Sequence, residues 1–563
     1  MLVGDSMIEK ENLLPRKEAL NLAHNPKGEY WEGQNLAVAS IFGAIHNGYK
    51  YIALDAPTGT GKSIINAALG NLLGGSHIMT TQKKLQEQYL ELGDDYKRVT
   101  GRSNFVCKND KRKTCDVGVC ITGPDDFVCP YKPSNTGKYP AFAGKKWSGL
   151  EKCPYWANVE EAWHAKHTIF NYAYYVLKMN SEYNEFEPTD IQLLDEGHNL
   201  EAYIRNVSSF EITDKSLYHV RYVDDVDTVD DKKFERVERQ INGKHDALEW
   251  LDSLLRVIEL RINDSKDAKA HGNTLVKRRI VKLENMQNRI KTVSQRMHAD
   301  PDNWVFAKVD NGFKLVPLYI GDYAQNVIFR HANVHIFSSA TLPPKKVLCK
   351  RFGFEEDEVF YYSMDSPFDP EKAPIFSYPQ PTMTWSPNMD AKRAKMGGTI
   401  ASVMQNYEGQ RGLILCNSYS EVRFYENYMQ EKFPDCFKRL TVQQRGDNVE
   451  TLMEEHESKP DSVIISPSMW EGVDLKGGLG NFLAIAKVPY PDYKDPVVQG
   501  LKEIDKGRYF EDTVMKIRQG VGRVIRSSDD EADIHILDGA FRQIYKYNGK
   551  MFPENFKERV IYI

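Results

Sequence analysis

Cysteine is scarce in this chain, 8 in 563 residues, and no two are spaced C-x-x-C, which excludes the paired ligand spacing of a zinc ribbon. An excess of positive charge is missing as well. Lys plus Arg number 74 against 79 Asp plus Glu, a formal charge of -5, so any contact with nucleic acid must use a local basic surface. No run of about eighteen apolar residues occurs, which argues against a membrane-spanning helix. Met1-Leu2-Val3-Gly4-Asp5-Ser6 lacks the basic region followed by an apolar stretch of a targeting segment, and a cytoplasmic location is the expectation. No nuclease constellation stands out. What the chain does have is length and apolar content: 563 residues with 41% hydrophobic side chains imply several packed cores, about three to four domains on the usual length prior.

The most specific signal is Ala56-Pro57-Thr58-Gly59-Thr60-Gly61-Lys62-Ser63, directly after the apolar run Tyr51-Ile52-Ala53-Leu54 and before the Ala/Leu-rich stretch Ile64 to Leu73. Strand, loop and helix in that order let backbone N–H groups and a helix N-terminus point at a triphosphate. Lys62 then supplies charge and the Ser63 hydroxyl reaches Mg2+. Thr58, Gly59, Thr60 and Gly61 form the wall of such a site. A second element, Ile191-Gln192-Leu193-Leu194-Asp195-Glu196-Gly197-His198, ends an apolar strand in two carboxylates. Asp195 is suited to hold Mg2+ through water and Glu196 to polarise the attacking water. Gly197 adds backbone freedom there while leaving both carboxylates in place.

Five of the cysteines, Cys107, Cys115, Cys120, Cys129 and Cys153, lie in one segment, whereas Cys349, Cys416 and Cys436 are scattered and read as buried thiols. Clustered cysteines in a cytosolic chain argue for metal rather than disulfides, and the spacing leaves zinc and iron-sulfur both open. The same segment holds nine Lys or Arg (Lys108, Lys111, Arg112, Lys113, Lys132, Lys138, Lys145, Lys146, Lys152) against five acids. Phe127, Tyr131, Tyr139, Phe142 and Trp147 are interspersed. Cations for phosphates and rings for bases suit single-stranded nucleic acid.

Beyond residue 400 the pattern of short apolar strands and helices recurs, at Gly412–Cys416, Ser462–Ile465, Phe482–Ala486 and Ile534–Leu537, which predicts a second parallel-sheet domain. Two runs there carry chemistry: Trp470-Glu471-Gly472-Val473-Asp474, and Gln519-Gly520-Val521-Gly522-Arg523-Val524-Ile525-Arg526. The spacing of Arg523 and Arg526 predicts one shared helix face, from which guanidinium groups can reach a transferring phosphoryl group. Between the halves, Leu248, Leu251, Leu255, Ile258 and Ile262, then Ile280, Leu283, Met286, Ile290, Val293 and Met297, recur at helical spacing around a polar stretch with Gly272. They predict an antiparallel helical hairpin with its stripes packed together. The acidic run Asp224 to Asp231 reads as an exposed loop.

Taken in order, these elements resemble the superfamily 2 DEAH-type helicases, in particular the iron-sulfur branch typified by XPD and DinG proteins. Ala56 in place of the first loop glycine is usual in helicase-type loops, and Asp-Glu-Gly-His stands where the family has Asp-Glu-Ala-His. Gln34 resembles the family's upstream glutamine that reads adenine. Met79 to Gln88, including Thr81 and Gln82, resembles a backbone-contacting motif for DNA. Gly101 to Cys107, with Arg102, resembles the entry to the cluster domain and Cys153-Pro154-Tyr155 its exit. Asn171-Tyr172-Ala173-Tyr174, Ser338 to Leu342, Cys416-Asn417-Ser418-Tyr419 and Glu471-Gly472-Val473-Asp474 match further signatures. The resemblance implies an ATP- and Mg2+-dependent DNA helicase, expected to be monomeric and to move 5' to 3' on single-stranded or forked DNA. It also implies a 4Fe-4S cluster on Cys107, Cys120, Cys129 and Cys153, with Cys115 the alternative ligand. Glu196, Lys62, Gln519, Arg523 and Arg526 would be catalytic. Gln34, Thr58 to Ser63, Asp195, Gly472 and Asp474 would hold ATP; Thr81, Gln82, Arg102, Tyr172 and Trp470 would touch DNA. The implied fold is α/β: two RecA-like motor domains, the first (1–100, 161–204 and 306–370) interrupted by a cluster domain (101–160) and a helical arch (205–305), the second spanning 371–563. Repair and replication are the family's processes. A translocase that strips protein or RNA from DNA, and a non-enzymatic iron-sulfur scaffold, are the rival readings.

Overall fold

Strands of Val, Ile, Leu and aromatic residues, buried on both faces, build the centre of each lobe, as parallel sheets covered by helices require. The computed structural model describes residues 30, 32–122, 127–133, 151–179, 186–217, 220, 241–269, 274–366, 368–475, 477–525 and 530–563. Arg526, Gly272, the acidic run 224–231 and Lys138, Tyr139, Phe142, Lys145, Lys146 and Trp147 lie outside the described residues.

In lobe 1, β1 (Tyr51–Asp55) leads through the glycine loop into α1 (Lys62–Leu72), followed by β2 (Ser76–Thr80), β3 (Tyr96–Arg98), β4 (His167–Asn171) and β5 (Thr189–Asp195). After an insertion, β9 (Ala332–Ser339) and β10 (Val359–Ser363) complete a parallel sheet of order β10-β1-β9-β5-β2-β4-β3. Side chains alternate across β1: Tyr51 and Ala53 enter one core, Ile52 and Leu54 the other. The register pairs Asp55 with Ser339 and Ser363, so the strand ends that carry chemistry lie side by side.

Two excursions leave this sheet. The cysteine segment emerges between β3 and β4 at its edge, and Cys107, Cys115, Tyr155 and Trp156 are buried in the lobe's own core. The second excursion is a separate body: β6 (Phe210–Thr213), β7 (Trp304–Val309) and β8 (Gly312–Pro317) form an antiparallel sheet of order β6-β8-β7 beneath α2 (Lys244–Lys269) and α3 (Thr274–Ala299). These two helices are the expected hairpin. Leu251, Ile258, Ile262, Ile280, Leu283, Ile290, Val293 and Met297 are buried together, with Leu254, Trp250 and Phe313 completing a core of their own. The small sheet was not foreseen, because its strands are short and only partly apolar.

Lobe 2 is a second seven-stranded parallel sheet, with β11 (Ile375–Ser377), β12 (Gly412–Leu415), β13 (Leu440–Val442), β14 (Val463–Ser466), β15 (Phe482–Ile485), β16 (Asp533–Ile536) and β17 (Val560–Tyr562) in the order β13-β14-β12-β15-β16-β11-β17. All four expected strands are present. Leu413 and Leu415 face one core and Ile414 the other. Cys349, Cys416 and Cys436 are buried free thiols, as the sequence suggests. Among the described residues no helix is long and apolar enough to cross a membrane.

Candidate nucleotide site between the lobes

Gly59 and Gly61 have φ of 81° and 76°. Only glycine takes that left-handed backbone without strain, and it turns the loop so that α1 begins at Lys62 with its N-terminus aimed into the gap between the lobes. Lys62 Nζ donates to the carbonyls of Ala56 (3.2 Å) and Pro57 (3.4 Å), which keeps its charge over the loop. Thr60 Oγ1 braces the same turn by donating to Pro57 O at 2.8 Å. Gln34 lies behind the loop, where its side-chain amide donates to Thr60 O at 2.9 Å.

Facing Lys62 are the two carboxylates at the end of β5. Asp195 is buried and accepts from Tyr89 Oη at 3.1 Å; Tyr89 in turn accepts from Asn66, which also donates to Ser338 Oγ. Burial and the adjacent Glu196 push the Asp195 carboxyl up to about 7, against the pull of Lys62. Glu196 is shifted the other way: burial opposes ionisation, but the neighbouring cations, Lys62 first, and the hydrogen bond from Ser339 outweigh it. Two carboxylates side by side thus differ in proton affinity. Glu196 sits at φ 54°, a backbone state rare for a non-glycine residue and concentrated at functional sites. The positive φ belongs to Glu196 rather than Gly197. Gly197 is needed for closeness instead, since a Cβ there would lie 3.2 Å from the Phe337 backbone.

A directional chain of hydrogen bonds crosses from this carboxylate to lobe 2. Ser339 Oγ donates to Glu196 Oε2 at 3.1 Å, His198 Nδ1 lies 2.7 Å from Ser339 Oγ, and Gln519 Nε2 donates to His198 Nε2 at 2.7 Å. All three bonds require a neutral imidazole protonated on Nδ1. Burial lowers the His198 pKa and favours that form.

Lobe 2 contributes α4 (Arg508–Val521) and the turn after it. The expectation that Arg523 and Arg526 share a helix face is corrected here: α4 ends at Val521 with Gly522 as its cap, so Arg523 lies beyond the helix. It is held by other means. Arg523 Nε donates to Gln519 O at 3.2 Å and Nη1 to Val473 O at 3.0 Å, and its charge acts on both Glu196 and His198. Gly472, with φ 86°, and Asp474 line the same cleft of about 690 Å3, as do Thr58, Ser63, Thr81 and Gln82. Gly472 and Gln82 meet across it: a Cβ on Gly472 would stand 3.0 Å from Gln82 Nε2.

Sequence reasoning missed Arg518, whose guanidinium donates to Ala340 O at 2.9 Å and pairs with Asp55 at 3.3 Å, joining α4 to the end of β1. It also missed Tyr89 and the bridging role of Ser339. Position next to Gln519 was the sole hint for Arg518, since its partner is 463 residues away.

Two expected DNA contacts are corrected as well. Trp470 is 2% exposed and donates Nε1 to Cys416 O at 3.0 Å; Tyr172 is fully buried and stacked on Tyr203. Both rings belong to cores because the strands preceding them run straight into the packed interior. Arg102 folds over the rings of Tyr155 (4.4 Å) and Trp156 (5.3 Å).

The cysteine segment brings its thiols near one another. Cys115 Sγ lies 3.9 Å from Cys153 Sγ. Burial and then Cys153 push the Cys115 thiol up to about 12; burial and then Cys129 raise Cys120. Gly118 leaves room beside Cys107, whose Sγ would be 3.1 Å from an added Cβ. Among the described residues no three His, Cys, Asp or Glu side chains converge on one metal position. A four-iron cluster does not ask for that, because each thiolate binds a different iron, and an all-thiol donor set suits it.

Comparison with known proteins supports the two-lobed fold. Residues 400–559 match the family model "Helicase C-terminal domain" and residues 144–217 match "DEAD_2". The chain is 22% identical to the ATP-dependent DNA helicase YoaA of Haemophilus influenzae, over 97% of this chain and 96% of that protein. It is 24% identical to the ATP-dependent DNA helicase DinG of Photobacterium profundum, over 54% of this chain and 47% of that protein. A solved XPD helicase superposes with a TM-score of 0.59 at 14% identity, covering 95% of this chain and all of that one. The chain is thus similar in fold to a solved XPD helicase and in sequence to the YoaA and DinG helicases, with two parallel-sheet lobes and matches to both helicase family models.

Proposed function

We propose that this protein is an ATP-dependent DNA helicase. The observation that carries the reading is the cleft: Lys62, Asp195 and Glu196 on one wall face Gln519 and Arg523 on the other, with the His198–Gln519 hydrogen bond crossing between them. The names of the similar proteins support DNA as the substrate.

Lys62 and the N-terminus of α1 neutralise the triphosphate; Glu196 orients and polarises the attacking water; Arg523 stabilises charge on the transferring phosphoryl group from the far wall. Arg526 is assigned the same task from its place in the run. The buried Asp195 carboxylate and the Ser63 hydroxyl make a hard oxygen donor set that would hold Mg2+, which when bound would supply charge neutralisation for the triphosphate. Gln34 is assigned to the adenine end and Gly472 and Asp474 to the lobe 2 wall. Thr81, Gln82 and Arg102 are proposed to meet the DNA strand. Because the wall groups come from both lobes, cleft closure and phosphoryl transfer are coupled, and alternate closure and opening draws a strand along.

The finer reading adds a 4Fe-4S cluster held by Cys107, Cys120, Cys129 and Cys153, with Cys115 as alternative. Its role there would be structural, stapling an insert whose described residues Cys107, Cys115, Tyr155 and Trp156 pack into the lobe 1 core. Movement 5' to 3' on single-stranded or forked DNA, a monomeric state and a cytoplasmic location complete the proposal. Strand displacement on forked duplexes bearing a 5' or a 3' tail, with an absorbance spectrum and iron content of anaerobically purified protein, tests activity, direction and cofactor together. Lys62→Ala is expected to abolish DNA-stimulated ATP hydrolysis; full hydrolysis by that variant would refute the site.

A further inference from the structure

With Trp470 and Tyr172 buried, lobe 2 still presents rings to solvent, and the most exposed among its described residues is Trp385, at 85%. Its loop follows β11, and because the whole sheet is parallel it leaves the same edge as the loops after β12, β14 and β15. Glu471 to Asp474, on the cleft wall, follow β14 on that edge.

The loop is pinned. Met383 is buried in the lobe core, and its N–H donates to Asp538 Oδ1 at 2.9 Å. Asp538 Oδ2 accepts from the Val488 N–H, and Asn417 Nδ2 donates to Val488 O, both at 2.9 Å. Lys392 Nζ grips the loop backbone on both sides of Met383, through Thr382 O at 3.0 Å and Thr384 O at 3.3 Å. The indole is thus held outward by a fixed backbone, tied through two shared partners to the Asn417 turn. On that turn the Tyr419 ring lies 5.8 Å from the Arg445 guanidinium, which is exposed.

Charge favours a polyanion. The neighbouring acids are engaged: Glu421 by Lys487, Asp390 by Arg393, and Asp538 by the N–H groups of Met383, Val488 and Ala540. Lys392, bonded to the carbonyl of Thr384 next to the ring, brings a cation to the same loop. A rigidly presented indole with a cation close by is what unpaired bases and their phosphates bind.

We propose that Trp385 is a base-stacking platform for single-stranded DNA on the lobe 2 sheet edge that also carries the loop of Glu471 to Asp474, an assignment that rests on the DNA helicase reading. The test is binding of a fluorescein-labelled oligo-dT to the full chain by anisotropy, with intrinsic tryptophan quenching read in parallel. Trp385→Ala is expected to weaken binding about five-fold to a hundred-fold, the usual range for losing one stacked base. Trp385→Phe should keep most of the affinity while losing part of the quenching. Tyr547→Ala, which removes another exposed ring of lobe 2, should change nothing. Wild-type affinity in Trp385→Ala, with quenching unchanged in Trp385→Phe, would overturn the stacking role and leave the helicase reading standing. A wild-type protein that binds no single strand would overturn both.

Discussion

In the proposed mechanism hydrolysis turns on Glu196, and its surroundings say how. Its carboxylate is fixed by Ser339, which is fixed by His198, which is fixed by Gln519 of the opposite lobe. Removing the carboxylate's basicity while keeping its shape, Glu196→Gln, should cost about 10²- to 10⁴-fold in kcat, the usual worth of a positioned base. KM for ATP should barely change, since binding is assigned in the proposal to Lys62 and the glycine loop. Ser339→Ala severs the chain without touching either end. It is expected to lower kcat less than Glu196→Gln does, and to blunt the stimulation of hydrolysis by single-stranded DNA. Steady-state kinetics with and without DNA separate the two outcomes; equal loss of basal and stimulated rates in Ser339→Ala would mean that the bridge does not carry the coupling.

At the scale of the element, α4 shows what packing decides. Gly520 lies against Trp470, where a Cβ would come 2.9 Å from the ring, and Leu415 closes the other side. The indole therefore sets the height at which Gln519 and Arg523 enter the cleft. Trp470→Ala is expected to cost about 3–5 kcal/mol of stability, seen as a fall in Tm, with a weaker effect on DNA affinity than Trp385→Ala. The same element shows what could be read in advance. The glycine loop, the Asp-Glu pair and the two sheets were legible because each signal is contiguous: an apolar run fixes a strand, and the residues after it fall at the strand's chemical end. Trp470 was misread as a DNA contact because it lies in a run that also carries Gly472 and Asp474, and sequence alone does not say which way a ring turns. The end of α4 at Gly522 was likewise hidden, since helical spacing continues to Arg526 while the backbone does not. Partnerships such as Arg518 with Asp55, and the small sheet under the hairpin, depend on tertiary packing that no local pattern records.

For the molecule as a whole, the described contacts between the lobes include two of different physical character. Across the cleft the links named here are Gln519 to His198, Thr58 to Ile525 O, and Arg518 to Asp55 and Ala340, and these can exchange with a nucleotide. Away from it stands a buried ionic anchor. Glu201 of lobe 1 takes Arg205 from its own helix and Arg508 from lobe 2 at 2.6 Å, while Arg351 of lobe 1 reaches Asp512 at 3.0 Å and Glu511 at 3.4 Å. Lys350 adds Asp505 at 2.7 Å. Breaking such a group exposes unpaired buried charge, so lobe motion is expected to hinge there while the cleft opens. Burial alone would raise the Glu201 pKa; Arg205, Arg508 and Arg351 outweigh it and hold the carboxyl far below its usual range. A depressed acid stabilises the fold above its unfolded pKa, about 4.3 for a glutamate, and that contribution fades as pH falls below this value. Glu201→Gln is therefore expected to lose about 3–5 kcal/mol at pH 7, the usual cost of removing one partner from a buried ion pair. Its deficit against wild type should shrink as pH drops below about 4. Urea unfolding of both proteins at pH 7 and at the lowest pH where wild type stays folded measures this directly. A deficit that stays constant across that range would show that Glu201 acts through packing rather than charge, and would leave the pivot to the remaining Arg351 and Lys350 pairs.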